Sequence, residues 1–74
     1  MNILVKAPLK ANEIQQLLDG TTAEGLTFQF VEKNGMAMEF EVIGESVGNA
    51  IDVVKALIRG TDYGSALYFS VVKK

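Results

Sequence analysis

The sequence of 74 residues contains no cysteine, no histidine and only one proline. Without thiols the chain can form neither disulfides nor a cysteine-based zinc site, and a small disulfide-rich secreted domain is not expected. We therefore expect an intracellular, cytoplasmic protein. Without histidine, a serine nucleophile would lack its usual general base.

Long apolar runs are also missing, and so is a surplus of positive charge. The segment Met1–Pro8 lacks a basic region followed by a hydrophobic stretch long enough for export. We expect a soluble protein with no membrane partner. The net charge of −2 argues against nucleic-acid binding, because affinity for phosphate comes from clustered lysine and arginine.

The composition is that of a folded protein, with 49% hydrophobic and 22% charged residues. At 74 residues the chain is expected to be a single domain, residues 1–74, near the lower size limit for a self-sufficient hydrophobic core. It contains no repeat, linker or low-complexity tract.

The segment Leu26–Ile43 alternates between apolar and polar residues around Asn34-Gly35, which predicts a β-hairpin. A two-residue loop at Asn34-Gly35 would place Phe28 on the same face as Glu39 and lose the apolar face. We therefore expect a three-residue loop, 33–35, with Gly35 at positive φ in a bulge. The predicted pairs are Glu32 with Met36, Phe30 with Met38, Phe28 with Phe40, and Leu26 with Val42. The predicted outward residues are Thr27, Gln29, Val31, Ala37, Glu39 and Glu41.

Four more elements are predicted around the hairpin. A strand spans Asn2–Ala7 and ends at Pro8, a helix spans about Lys10–Asp19, and a loop, 20–25, leads into the hairpin. A longer helix runs from an N-cap at Ser46 to a cap at Gly60. A last strand spans Ala66–Val72. The predicted inward residues of the helices are Ala11, Ile14, Leu17 and Leu18, then Val47, Ala50, Ile51, Val54, Leu57 and Ile58. The predicted inward residues of the last strand are Leu67, Phe69 and Val71.

The resulting order, βαββαβ, predicts an α+β fold of the ferredoxin-like type. This is a two-layer sandwich in which an antiparallel sheet of order 4-1-3-2 carries two helices on one face. Such a fold hosts many unrelated functions, so it does not by itself indicate one.

Two motifs invite a catalytic interpretation. The segment 44–48 matches G-x-S-x-G, but the chain has no histidine and is too short for the hydrolase sheet that gives this motif its meaning. Ser46 is better interpreted as a helix cap. Glu39 and Glu41 share a face, yet an acid–base pair needs burial and a metal needs more ligands. We expect solvated carboxylates with Lys6 as partner, no metal, no cofactor and no enzymatic activity.

The open face of the predicted sheet also argues against RNA binding. RNA-recognition domains with this element order stack bases on aromatic residues of the two central strands. The corresponding positions here are Leu4, Lys6, Ala37, Glu39 and Glu41. Carboxylates at these positions would repel phosphate. The chain also lacks the C-x-x-C pair of heavy-metal-binding domains and the arginine loop of acylphosphatases.

An interaction surface is the remaining interpretation. The first and last strands are predicted neighbours, so their outward apolar residues should form a strip beside charges of both signs. The candidate interface residues are Leu4, Lys6, Glu39, Glu41, Tyr68 and Val72. The leading hypothesis is a non-enzymatic protein that self-associates, as a homodimer for instance, or binds a larger partner through this face. The alternatives are an acidic inhibitor of a basic or nucleic-acid-binding partner, of the kind encoded by phages or mobile elements, and a small-molecule-binding regulatory domain.

Overall fold

The computed structural model describes all residues, 1–74, as an α+β fold with five antiparallel strands and two helices. The strands lie in the order β2-β3-β4-β1-β5. No helix is long and apolar enough to cross a membrane. The elements are β1 (Asn2–Lys6), α1 (Ala11–Leu18), β2 (Thr22–Ala23), β3 (Leu26–Asn34), β4 (Ala37–Gly44), α2 (Ala50–Arg59) and β5 (Ser70–Lys73), with a single 3₁₀ turn, Val47–Asn49, before α2.

The sheet contains one strand more than the sequence predicts. The α+β class and the two helices are confirmed, but the segment expected to be a loop forms β2, which pairs with the start of β3 at one sheet edge. Glu24 and Gly25 join β2 to β3 with φ angles of 53° and 76°. Positive φ at both central residues is typical of a tight hairpin turn. The predicted four-strand order is therefore not the order of this sheet.

One hydrophobic core lies between the sheet and both helices. Period-two alternation directs one side of each long strand into it, and spacing of three or four residues does the same for each helix. The predicted inward faces of the two helices and of residues 26–30 and 38–42 of the hairpin are thereby confirmed. The buried core residues are Ile3, Val5, Ala7, Ile14, Leu18, Leu26, Phe28, Met38, Phe40, Val42, Ala50, Val54, Ile58 and Val71.

The predicted register of the hairpin is wrong, although the predicted faces are correct for residues 26–30 and 38–42. Asn34 pairs with Ala37, so the connection is a two-residue turn at Gly35-Met36. Gly35 has the expected positive φ, 65°, but the bulge lies elsewhere, between Phe30 and Glu32. A bulge adds one residue to one strand. Glu32 therefore lies level with Glu39 on the open face and not on the core face as predicted, and its predicted partner Met36 is exposed in the turn.

This register changes the aromatic pairing. Phe40 pairs with Phe30, and Phe28 pairs with Val42, so the predicted Phe28–Phe40 pair does not exist. The rings of Phe30 and Phe40 meet edge to face, with centroids 5.7 Å apart and planes at 70°. The predicted and observed registers differ by two residues over this part of the hairpin, and a shift of two leaves every side chain on its own face.

Several helix and strand boundaries also differ from the predicted ones. Helix α1 begins after Lys10, which has a φ of 64°, and Ser46 makes no side-chain capping bond because the 3₁₀ turn separates it from α2. Strand β5 begins only at Ser70. The preceding segment packs on the end of α2, where the hydroxyl of Thr61 donates to the carbonyl of Ile58 at 2.6 Å.

Candidate functional site

The face of the sheet opposite the helices is the candidate site, and Leu4 lies at its centre. Leu4 alternates with the buried residues Ile3 and Val5, so its side chain points away from the core. Across the sheet it is level with Glu39 on β4 and with Val72 on β5. We call this side the open face.

Glu39 is buried on the open face, with 6% of its surface exposed. Its carboxylate accepts hydrogen bonds from the side-chain amide of Asn2 at 2.5 Å and from the ammonium of Lys74 at 2.7 Å. The prediction of a solvated Glu39 paired with Lys6 is wrong. Lys6 is level with Ala37, two residues before Glu39 on β4, whereas Lys74 is brought close by its backbone N–H bond to Asn2.

The two partners change each other's protonation. The hydrogen bond from Lys74, reinforced by the one from Asn2, lowers the pKa of Glu39 below its ordinary 4.5, although desolvation opposes the change. The hydrogen bond to Glu39 raises the pKa of Lys74 above its ordinary 10.5. Both groups are therefore charged at neutral pH, and the contact is an ion pair.

The predicted apolar strip is only partly assembled in the sheet. Leu4 and Val72 are register neighbours; Leu4 is half-buried and Val72 is 40% exposed. Tyr68, which is 85% exposed, precedes β5 and takes no part in the ladder with β1. The apolar centre of the face is therefore the pair Leu4–Val72.

Two charged candidates lie at opposite ends of the face. Lys6 is at the end of β1, and Glu41 is level with Asn2 at the other end of that strand. Both are exposed. The ion pairs of the chain, Lys10–Glu13 and Lys74–Glu39, involve neither of them.

A cleft of about 240 Å³ opens beside Glu39. Its lining residues are Leu4, Glu32, Asn34, Ala37, Glu39 and Lys74. Sequence reasoning did not find Asn2, Glu32, Asn34 or Lys74. The bulge brings Glu32 level with Glu39, and no pattern in the sequence indicates its position.

Each carboxylate oxygen of Glu39 accepts a hydrogen bond from another side chain of the protein, which favours the ionised form of the carboxyl group. Nowhere in the chain do three aspartate or glutamate side chains come together in a group that could hold a metal ion. Ser46 is exposed before the 3₁₀ turn and makes no side-chain hydrogen bond there.

A second cavity, of about 340 Å³, lies between α2 and the β2–β3 turn. Its lining residues are Ala23, Glu24, Asp52, Val53, Ala56 and Leu57. None of them belongs to the candidate interface, so the two surfaces are separate.

No protein-family model, no curated protein and no solved structure matches this chain.

Proposed function

We propose that this protein is a non-enzymatic binding protein that contacts another protein through the open face of its sheet. The observation that carries the proposal is the apolar pair Leu4–Val72 at the centre of that face, beside the ion pair Glu39–Lys74. No other element of the chain covers this pair, since both helices contribute to the core on the opposite side.

The ion pair makes the surface pre-organised. Glu39 is held by two hydrogen bonds, so its side chain is already ordered before a partner arrives. Binding then loses less conformational entropy than it would on a surface of free side chains. An apolar centre beside defined charges is also the usual anatomy of a protein interface.

The charges favour a protein partner over a nucleic acid. Glu32, Glu39 and Glu41 lie on β3 and β4, against Lys6 and Lys74 on the β1–β5 side. Three carboxylates among five charges repel a phosphate backbone, whose binding depends on clustered lysine and arginine. A protein surface with charges of both signs is the better complement.

We further infer a ferredoxin-like sandwich in which β2 is an additional edge strand. Apart from β2, the strands lie in the order β3-β4-β1-β5, and both helices contribute to one core. These relationships support the inference. In this type of sandwich the sheet face without helices is left free, which is consistent with binding there.

Photo-crosslinking tests the proposed surface. A photoreactive phenylalanine analogue is introduced in living cells at Val72, and in a second variant at Ala56, which is exposed on α2. We expect a discrete protein adduct from Val72 because that side chain borders the apolar centre. Ala56 serves as the matched control, since it lies outside the open face.

The adduct pattern decides the proposal. An adduct formed from Val72 and not from Ala56 supports binding through the open face. No adduct from Val72, or the same adducts from both positions, would show that the face is not the contact surface.

A further inference from the structure

Two exposed charges on the open face, Lys6 and Glu41, are arranged so that they complement each other across a two-fold axis. Lys6 and Glu41 are one strand apart and four residues apart along the strand direction, because Lys6 is level with Ala37 on β4. With strands ~4.8 Å apart and a rise of ~3.3 Å per residue, they are roughly 14 Å apart on a diagonal. The midpoint of that diagonal lies between Leu4 and Glu39.

We propose that the partner on the open face is a second copy of this chain, packed face to face about a two-fold axis through this midpoint. The inference rests on the proposed function, since it uses the same surface. An axis in the plane between the two sheets, perpendicular to the diagonal, places Lys6 of each copy over Glu41 of the other. A two-fold contact of this kind is self-complementary by construction.

The same operation brings the apolar centres together. Leu4 lies close to the axis and meets its own copy, and Val72, one strand further out, lies beside its copy. The apolar pair of one chain thereby covers the apolar pair of the other. Two Lys6–Glu41 contacts flank this centre, which also contains the ion pair Glu39–Lys74 of each chain.

The size of the crossing angle between the two sheets is close to that of aligned sheet pairs. The diagonal is inclined by about 20° to the strands, so the strands of the two sheets would cross at about 40°. Aligned sheets in sandwiches cross at about 30°. One partner's share of a standard interface, ~800 Å², is less than a fifth of the 4407 Å² surface of the chain.

Two contacts in this arrangement are between like charges. Glu39 lies as close to the axis as Leu4 and meets its own copy, although each of these carboxylates is paired with Lys74 of its own chain. Glu32, on β3, comes close to its own copy at the rim of the face. Both Glu32 side chains are exposed there, so water and salt screen the repulsion. The two Lys6–Glu41 contacts determine the orientation.

Charge reversal provides the test. Lys6→Glu alone places two like-charged contacts in the dimer, and so does Glu41→Lys alone. Each variant should dimerise about tenfold or more weakly than the wild type, because like charges at an interface are strongly disfavoured. Mixing the two single variants should restore association as a heterodimer, since every contact is then between opposite charges. The double variant, Lys6→Glu with Glu41→Lys, should also recover.

Sedimentation over a range of concentrations measures association, and circular dichroism confirms that each variant is folded. Asp52→Lys is the matched control for Glu41→Lys, because it makes the same charge change on the exposed side of α2. It should leave dimerisation unchanged.

The results separate this inference from the broader one. A wild-type dimer with recovery in the mixture supports the two-fold arrangement, whereas a dimer that is insensitive to all these changes overturns it. A wild type that stays monomeric up to millimolar concentration overturns the second copy as partner. In that case a crosslink from position 72 to a different protein would still support binding by the open face. The absence of any crosslink would contradict both proposals.

Discussion

The carboxylate of Glu39 and the ammonium of Lys74 lie 2.7 Å apart, although 35 residues separate them in the chain. Glu39 is on β4 and Lys74 follows β5, with β1 between these two strands. The contact therefore bridges three neighbouring strands. It also keeps a buried carboxylate charged on a face that is otherwise open to solvent.

The first prediction concerns the protonation of Glu39. In Lys74→Met the main hydrogen bond that lowers the pKa of Glu39 is lost, so that pKa should rise. NMR titration of the side-chain carboxyl of Glu39 measures the change. Lys73→Met is the control, because Lys73 is exposed and makes no ion pair. Equal titration of Glu39 in both variants would contradict the observed pairing.

The second prediction is the pH dependence of stability. The pKa of Glu39 is lowered in the folded state, so its contribution is present above the unfolded value of about 4.5 and is lost as pH falls through the folded pKa. The pKa of Lys74 is raised, so its contribution is present below about 10.5 and is lost as pH rises through the folded pKa.

Urea denaturation at a series of pH values tests this, with Glu39→Gln as the comparison. The difference in unfolding free energy between wild type and variant should be greatest between these limits and should shrink at acid pH. A difference that is independent of pH would mean that the ion pair makes no contribution to stability.

The third prediction is the stability cost of Phe40→Ala. Phe40 is fully buried on β4 and meets the ring of Phe30 edge to face, so truncation should cost about 3–5 kcal/mol. A domain of this size has a stability of roughly 4–11 kcal/mol. Urea melts should show largely unfolded or severely destabilised protein. Tyr68→Ala is the control, and at 85% exposure it should have little effect; the reverse result would mean that the two faces are interchanged.

The fourth prediction concerns Gly64, where the chain passes close to the end of α2. A Cβ atom at Gly64 would overlap the carbonyl oxygen of Ile58, so Gly64→Ala must displace backbone. The expected cost is about 1–3 kcal/mol, as for other overpacked sites. Gly48→Ala is the matched control, because nothing lies within 4 Å of its Cβ position. Equal melting temperatures for the two variants would contradict this close approach.

Much of the fold follows from local pattern. Alternation indicated which of residues 26–30 and 38–42 face the core, and Phe28, Phe40 and Val42 are buried as predicted. A pattern of period two distinguishes the faces but is unchanged by a shift of two residues. The register therefore depended on the turn at Gly35-Met36 and on the bulge after Phe30, which no alternation encodes.

Strand β2 was missed for a related reason. Thr22–Ala23 is only two residues long, which is too short to display any period. It is a strand because its backbone groups bond to β3, and Gly20 and Thr21 continue this bonding to Phe28. Pairing of this kind is a property of the neighbouring strand as much as of the segment itself.

For the candidate site, too, the sequence pattern determined the faces of the residues, and the strand registers determined their partners. The sequence by itself determined that Leu4, Glu39 and Val72 lie on the face away from the helices, because each alternates with core residues on its own strand. Only the tertiary structure decided that Glu39 is buried and that its partner is Lys74 and not Lys6. The choice depends on the registers of β1 with β4 and of β1 with β5. Registers are set jointly by turns, bulges and core packing, so no single strand carries the information.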